Sequence, residues 1–355
     1  MMKRFFFILF FSKLVLAKET IYLIRDDIDD YNNQFFSKAD LNNRMIIWGG
    51  HWEANMWLLA KELLEKNCDY ELRTPSTKDT KIMFQELRSA KWVIDNTHSL
   101  NFSYNLDPKK DKWLLNKLAI VIFEPPVVQY RNWSKAFHDK VKRVFTWDDS
   151  YVCSDPTKYF LLRFPFYSGV KHIEVVPFNK KKLCCAINGN KGSSHPQSLY
   201  EKRREDVFIW DLNYANDFDF YGTAFSSKNF KTYKGALPGE DKIKCLHNYK
   251  FCLSYENMHN GYGWVTERMF NCLEAGCVPV YLGSINIDNF VPRECYIDRN
   301  NFESNEHLYD FLNNMNESQY NRYIENIKDY LNSNLPNEFG YERFAEYIVK
   351  GLLAD

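Results

Sequence analysis

The chain has 355 residues, of which 45% are hydrophobic and 26% are charged. This is the composition of a globular protein, and it excludes both a disordered chain and a multi-span membrane protein. The 46 basic residues balance the 46 acidic ones, so the formal net charge is zero and nucleic acid is excluded as a main partner. The length predicts two domains.

Residues 1–18 have the pattern of a secretory signal peptide or short anchor: basic Lys3-Arg4, an apolar run from Phe5 to Phe11, and Ala17 at a small-residue site. Lys13 interrupts the pattern, and a buried first strand or stub is the alternative. The pattern predicts a secretory-pathway or membrane-associated protein with peripheral membrane association, Golgi-type if the source is eukaryotic; the bacterial cytoplasm or cell envelope is the alternative. The nine cysteines show no zinc-site spacing, and both disulfides and buried thiols remain open.

Short apolar runs alternate with helical patterns along the chain, which predicts the α/β class with parallel sheets. A helix is expected over Trp52–Lys66, with Met56, Leu59, Leu63 and Leu64 on one side. The predicted strands are Ile21–Ile24, Met45–Trp48, Tyr70–Arg73, Trp92–Asp95, Ala119–Phe123 and Arg143–Thr146, then Leu183–Ile187, Phe218–Tyr221, Phe251–Tyr255, Val278–Leu282 and Cys295–Ile297.

A stretch from Phe164 to Lys182 that is rich in proline, glycine and lysine separates the two sets of strands. We therefore expect an N-terminal α/β domain over residues 19–170 and a C-terminal α/β domain over 171–335, with a cleft between them. A helical tail is expected within residues 336–355. Open α/β sheets bind ligands beyond the carboxyl ends of their strands, so polar residues at strand ends are the candidate site residues.

The segment from Tyr249 to Gly283 carries the densest signal: strand, glycine turn, helix, glycine cap and strand. The helix is expected to begin near Trp264–Thr266, and its first turn would present unpaired N–H groups and the positive end of the helix dipole, which suit an anion. Arg268 is unfavourable there by the dipole rule unless it reaches an anion such as a diphosphate, and Glu267 could accept hydrogen bonds from ribose hydroxyls. The alternative is an ordinary helix start with a surface ion pair.

This segment resembles the signature of the α-1,3/4-fucosyltransferases, glycosyltransferase family 10, and a weaker resemblance covers most of the chain. The resemblance implies a GT-B architecture, two Rossmann-like domains facing a cleft. It implies inverting transfer of L-fucose from GDP-fucose to a hydroxyl of an acceptor glycan, with α-1,3 linkage to GlcNAc or Glc. It also implies no tightly bound cofactor, with a divalent cation at most stimulatory.

The resemblance carries over onto particular residues. Asn257 takes the place of the family's donor-binding Asn, and Glu267 that of its ribose-binding Glu. Arg268 stands where the family usually has Lys, which keeps the charge and adds a bidentate fork. Trp264 stands where it usually has Tyr, which keeps a stacking face and loses the hydroxyl.

Two more charged residues and one amide complete the predicted site. Glu124, before Pro125-Pro126 at a first-domain strand end, matches the family's proposed base, and a helix-cap or salt-bridge carboxylate is its alternative. Arg203 fits the family's donor arginine, and a solvated charged face is the alternative. Asn190, with Lys191, could touch the donor or could form a turn.

Several other patterns are weaker. Asp217 and Asp219 match the Asp-x-Asp motif of metal-dependent glycosyltransferases. The favoured interpretation of the two acids is a solvent-facing strand end, and no metal site is predicted. Asp148 and Asp149 are expected to line the cleft near the acceptor, and His51 and His98 are further acceptor candidates. Three alternative functions stay open: a GT-B transferase with another nucleotide sugar, a non-catalytic sugar- or solute-binding protein, and a catalytically silent relative that binds GDP without forming product.

Overall fold

The structure, a computed structural model, describes residues 18–26, 30–41 and 52–354. Residues 1–17 of the predicted signal peptide, the predicted strand Met45–Trp48 and His51 lie outside these ranges, so the leader and the localisation stay predictions. No helix in the described ranges combines the length and the apolar character needed to cross a bilayer.

The first sheet has six parallel strands in the order β2-β1-β3-β4-β5-β6. Its central strands are buried along their whole length, as expected for a parallel sheet with helices on both faces. The strands are β1 Glu19–Ile24, β2 Tyr70–Arg73, β3 Trp92–Asp95, β4 Leu118–Ile122, β5 Arg143–Thr146 and β6 Tyr159–Leu161.

The second sheet has five parallel strands in the order β11-β10-β9-β7-β8. From β7 the chain adds β8 on one side, and it then crosses to add β9, β10 and β11 on the other side. The switch point between β7 and β9 opens a crevice at the carboxyl ends of the strands. The strands are β7 Lys182–Ile187, β8 Phe218–Tyr221, β9 Tyr249–Tyr255, β10 Val278–Leu282 and β11 Ile297–Asp298.

Thirteen α-helices in the described ranges surround the two sheets. Their bounds are α1 Gln34–Ser37, α2 Trp52–Asn67, α3 Thr80–Arg88, α4 Asn101–Tyr104, α5 Lys112–Leu115, α6 Lys135–His138, α7 Asp149–Ser154, α8 Tyr200–Asn213, α9 Lys242–Leu246, α10 Glu267–Glu274, α11 Asn305–Asn313, α12 Glu317–Asn332 and α13 Tyr341–Leu353.

The two parallel sheets confirm the predicted fold class, and three details correct the predicted elements. The three-residue edge strand β6 was not predicted, because so short a run shows no periodicity. A 3₁₀ turn over Arg293–Cys295 follows Pro292, so β11 begins only at Ile297 rather than at Cys295. Helix α2 buries Met56 and Leu64 as expected, but Leu59 and Leu63 are only half-buried.

The C-terminal helix α13 returns to the first sheet. Its Phe344 packs edge-to-face on Trp57 of α2, with 5.3 Å between the ring centroids. The guanidinium of Arg143 donates hydrogen bonds to the carbonyls of Gly351 and Ala354. The tail therefore ties the end of the chain to the N-terminal half. The domain limits at residues 170 and 335 stay a prediction.

All nine cysteines are free thiols, and six of them are buried. Cys184 and Cys185 are adjacent in β7, and Cys185 pairs in register with Cys252 of β9. Of the two alternatives left open by the sequence, the structure has buried thiols rather than disulfides.

Candidate active site

A cavity of about 220 Å³ lies where the carboxyl ends of both sheets face each other. All the predicted site residues except Asn190 line it. The lining residues are Phe123, Glu124, Val128, Phe166, Gly189, Lys191, Tyr200, Arg203, Thr223, Lys242, Glu256, Asn257, Trp264, Thr266, Glu267 and Arg268.

Strand ends supply many of these residues, as the position of a site in an open α/β sheet requires. Glu124 follows β4 of the first sheet. Lys191 follows β7, Thr223 follows β8 and Asn257 follows β9 of the second sheet. The cavity therefore brings one carboxylate of the first sheet opposite several donor groups of the second.

Helix α10 begins at the cavity because Thr266 caps it. The Thr266 hydroxyl accepts a hydrogen bond from the backbone N–H of Arg268 at 3.4 Å. The same hydroxyl and the Thr266 backbone N–H donate to the carboxylate of Glu256, at 2.7 and 2.9 Å. Glu256, at the end of β9, thus fixes the helix start, and the sequence analysis had given it no such role.

Burial raises the pKa of the Glu256 carboxyl to about 7, although the neighbouring Arg268 opposes the rise and Glu267 adds to it. A carboxyl that is buried next to another carboxylate resists ionisation, because the charged form loses its hydration. The helix start is therefore held by a carboxyl that is only partly ionised near neutral pH. The dipole of α10 adds positive partial charge at this side of the cavity.

Arg203 is a buried cation that forms no ion pair with an acid of the described residues. Its side chain, in the first turn of α8, is 4% exposed. One guanidinium nitrogen donates to the carbonyl of Tyr255 at 2.6 Å, while Nε is buried and has no acceptor. Burial and the nearby Arg268 lower the pKa of this guanidinium well below its usual value. An unpartnered polar group of this kind indicates a ligand with acceptor atoms.

Arg268 points into the same cavity. Its Nη1 donates to the carbonyl of Ile187 at 2.9 Å and to Oδ1 of Asn188 at 3.3 Å, both at the end of β7. Within the described residues, neither Arg203 nor Arg268 lies within ion-pair distance of a carboxylate. Two neighbouring guanidinium groups without acidic partners form a strong anion site.

Lys242 is a third cation of the cavity, and the sequence analysis missed it. It is the first residue of the short helix α9 and lies far in sequence from the motif of residues 249–283. Burial lowers the pKa of its ammonium group. Glu267 opposes this shift, and Arg268 adds to it. Only its place in a charge run, Glu240 to Lys244, marks it in the sequence, and such runs are usually solvated faces.

Glu124 faces these cations from the first sheet. Its carboxyl is half-buried and makes no hydrogen bond within the described part of the chain. Burial raises its pKa to about 7, Lys191 lowers it and Glu267 raises it further. A carboxylate with this pKa can accept a proton close to neutral pH.

Asn257 and Trp264 both line the cavity and are hydrogen-bonded to each other. The indole Nε1 of Trp264 donates to Oδ1 of Asn257 at 2.8 Å, which leaves the Asn257 amide nitrogen available for a ligand. Trp264 is only 4% exposed, and its ring packs on Trp147 of the first sheet with 4.6 Å between centroids. The residue predicted as a stacking face is therefore mostly covered.

Asn190 does not reach the cavity. It is exposed, and its side-chain amide donates to the carbonyl of Ala224 at 3.0 Å. Its backbone N–H donates to the carbonyl of Thr223 at the same distance. The structure thus gives Asn190 the turn role that the sequence left open, while the neighbouring Lys191 lines the cavity.

Asp148 and Asp149 have structural partners rather than an open face toward an acceptor. Asp148 caps α7 by accepting from the backbone N–H of Ser150 at 2.9 Å. Asp149 pairs with Arg163 and accepts from Nδ2 of Asn286 at 3.0 Å. The expectation that they line the cleft is corrected, because Asp148 is used by its own helix and Asp149 is used by Arg163 and by Asn286 of the loop after β10.

The expectation that the Asp-x-Asp pattern is a solvent-facing strand end is wrong for Asp219, which is buried and paired with lysines. Asp219 pairs with Lys182 at 2.9 Å and with Lys234 at 3.2 Å. Asp217 accepts a hydrogen bond from the hydroxyl of Tyr309 at 2.9 Å. No group of three or more potential metal ligands occurs in the portion of the chain that the structure covers.

The fold and the cavity define a class. The chain is similar to the crystal structure of an α1,3-fucosyltransferase with GDP-fucose, with a TM-score of 0.51, 14% identity, and coverage of 95% of this chain and 91% of that one. It is also similar to the crystal structure of a DNA-modifying β-glucosyltransferase, with a TM-score of 0.55, 12% identity, and coverage of 94% and 99%. The architecture is that of the GT-B glycosyltransferases.

Sequence similarity points to one family within this class. Residues 178–339, a little under half of the chain, match the family "Glycosyltransferase family 10 (fucosyltransferase) C-term". The 4-galactosyl-N-acetylglucosaminide 3-alpha-L-fucosyltransferase 9 of Bos taurus is 30% identical over 163 residues, 44% of this chain and 40% of the bovine protein. An alpha-(1,4)-fucosyltransferase of Arabidopsis thaliana is 35% identical over 78 residues, 22% of this chain and 19% of the plant protein.

The matched region thus spans less than half the length of these curated relatives. It includes the second sheet, α8 and α10, and therefore most of the cationic side of the cavity. The C-terminal half of the chain is similar to family 10 fucosyltransferases, in agreement with the resemblance found in the sequence.

Proposed function

We propose that the protein transfers L-fucose from GDP-fucose to a hydroxyl of an acceptor glycan. The transfer inverts the anomeric carbon and makes an α-1,3 linkage to GlcNAc or Glc. One observation carries the proposal: Arg203, Lys242 and Arg268 face Glu124 across a single cavity. The similarity to family 10, and the GDP-fucose named with one solved structure of the same fold, support this donor.

The cationic side would hold the donor. The two guanidinium groups and the start of α10 would bind the diphosphate, and Glu267 would accept hydrogen bonds from the ribose hydroxyls. When the bond between the anomeric carbon and the diphosphate oxygen breaks, negative charge grows on that oxygen. Arg203 and Arg268 are already held by backbone carbonyls, so they would stabilise this charge without reorganising.

Glu124 would act on the acceptor. Its carboxylate takes the proton of the acceptor hydroxyl while that oxygen bonds to the anomeric carbon. GDP leaves with the electron pair of the broken bond, and Glu124 later returns the proton to solvent. A pKa of about 7 matches a general base that works near neutral pH. The basic side chains take the charge-neutralising role, so a divalent cation would at most stimulate the reaction.

Product analysis tests the proposal. The protein is incubated with GDP-fucose and a panel of N-acetyllactosamine-type and simple glycan acceptors, and the fucosylated product and its linkage are determined. Thermal unfolding is measured in parallel with GDP, which should stabilise the protein by about 2.7 kcal/mol at a hundredfold excess over Kd. Transfer without the α-1,3 linkage would contradict only the regiochemistry.

Two other outcomes would identify the alternatives. Tighter binding of a different nucleotide sugar in competition with GDP-fucose would indicate another donor, an alternative raised by Trp264 and Arg268. No stabilisation by any nucleoside diphosphate, together with binding of a free sugar, would indicate a solute-binding protein. Either result would refute fucosyl transfer from GDP-fucose.

A further inference from the structure

Three tryptophans form a continuous row that ends at Trp264 in the lining of the cavity. Trp133 and Trp147 come from the first half of the chain and Trp264 from the second. The ring centroids of Trp133 and Trp147 are 4.9 Å apart, and those of Trp147 and Trp264 are 4.6 Å apart. We call Trp133, Trp147 and Trp264 the tryptophan row.

Each indole N–H of the row is bonded to a residue of the cavity. Trp133 Nε1 donates to the backbone carbonyl of Glu124 at 2.9 Å, and Trp147 Nε1 donates to that of Phe123 at 3.0 Å. At the other end, the Trp264 indole donates to the side chain of Asn257. Buried indole N–H groups need such partners, so the row is anchored at both ends.

The first two bonds matter because they hold the backbone carbonyls of Phe123 and of Glu124 itself. Its carboxyl makes no hydrogen bond within the described ranges, and strand β4 has already ended at Ile122. The position of the carboxylate therefore depends on the backbone at residues 123 and 124. That backbone is held by the indoles of Trp133 and Trp147.

Polar contacts lock the row where the two halves meet. Arg163 donates to the carbonyl of Trp147 and pairs with Asp149. Asn286 donates to Asp149 at 3.0 Å and accepts from the backbone N–H of Gly263 at 2.8 Å. A Cβ at Gly263 would lie 2.7 Å from the Trp147 carbonyl oxygen, so the loops are as close as glycine allows.

We propose that the tryptophan row positions Glu124 relative to the donor and couples occupancy of the donor site to the placement of this base. The inference rests on the proposed function, because it assigns positioning residues to the proposed base. Its physical reason is the sensitivity of proton transfer to geometry: a displacement of about 1 Å can cost about 100-fold in rate.

The test uses Trp147→Phe and Trp133→Phe, which keep a ring in the row and remove the N–H. Trp113→Phe is the control, because Trp113 contacts Arg88 and Lys117 and does not line the cavity. For both row variants kcat should fall by about 10- to 100-fold. GDP should still bind, with a Kd that differs from the wild type only by the small free energy of the lost coupling. The control should retain the wild-type kcat.

A pH profile separates positioning from general damage. Lys191 and Glu267 are the charged groups that face Glu124. If the row variants release the Glu124 carboxyl toward solvent, the acidic limb of their kcat profile should move to lower pH, because hydration favours the carboxylate. Unchanged kcat and an unchanged acidic limb in both variants, with normal GDP binding, would overturn the inference.

Hydrogen exchange provides a readout that needs no acceptor. Bound GDP should slow amide exchange in residues 124–133 of the wild type and of Trp113→Phe, but not of Trp147→Phe. Equal protection in all three proteins would overturn the coupling. Failure of the wild type to bind GDP or to transfer fucose would instead refute the proposed function, so the two failures are distinguishable.

Discussion

Replacement of Glu124 by Gln is the most informative single change, because it should remove activity and add stability at the same time. Gln has nearly the same shape but cannot take the acceptor proton. Transfer should fall by about 10²- to 10⁴-fold while GDP-fucose still binds. In the wild type, kcat should rise with pH through about 7, where the Glu124 carboxyl loses its proton.

The stability effect follows from the same pKa. Burial raises the pKa of Glu124 from its ordinary value of 4.5 to about 7. The folded protein therefore binds this proton more tightly than the unfolded chain, so the free energy of unfolding decreases as pH rises from about 4.5 to about 7. The shift corresponds to an upper limit of about 3 kcal/mol. Gln does not ionise and avoids this loss.

The experiment is urea unfolding of both proteins at pH 5 and pH 8, beside a transfer assay with GDP-fucose. The stability gain of Glu124→Gln over wild type should be larger at pH 8 than at pH 5, by up to about 2.5 kcal/mol. Glu201→Gln is the matched control, because the Glu201 side chain on α8 is 83% exposed. Full transfer by Glu124→Gln, or equal gains at the two pH values, would refute the reasoning.

Three further predictions concern the cations and the junction between the two halves. Lys242→Met should weaken GDP binding in calorimetry by about 10- to 100-fold, which is the cost of a charge-assisted hydrogen bond. The control Lys244→Met, on the exposed side of α9, should bind GDP as the wild type does. Equal affinities of the two variants would contradict the assignment of Lys242. Transfer should persist in EDTA, because basic side chains neutralise the diphosphate; a loss that Mn²⁺ or Mg²⁺ restores would count against it. Gly263→Ala should lower Tm more than Gly235→Ala. Both residues have positive φ, 86° and 103°, but of these two only Gly263 would bring the new Cβ against other atoms, the nearest at 2.6 Å. Similar Tm values for the two variants would contradict a tightly packed junction.

The sequence by itself determined the fold class and the helix that begins at the site. The signals of the segment from β9 to β10 are local: an apolar strand, a glycine turn, Thr266 as N-cap and Gly276 after the helix. Because each signal depends on neighbours in the chain, Asn257 could be placed after a strand, and Glu267 and Arg268 at the start of the next helix, without coordinates.

Tertiary structure alone decided which distant groups share the cavity and what their surroundings do to them. Lys242 reaches it from a short helix, and the tryptophan row joins residues 133, 147 and 264, whose spacing in the sequence carries no signal. From the sequence Asp149 is expected to line the cleft, but in the structure its carboxylate pairs with Arg163 and accepts a hydrogen bond from Asn286. Proton affinity, charge pairing and aromatic contact all depend on through-space neighbours, and the packing of the two sheets sets those neighbours.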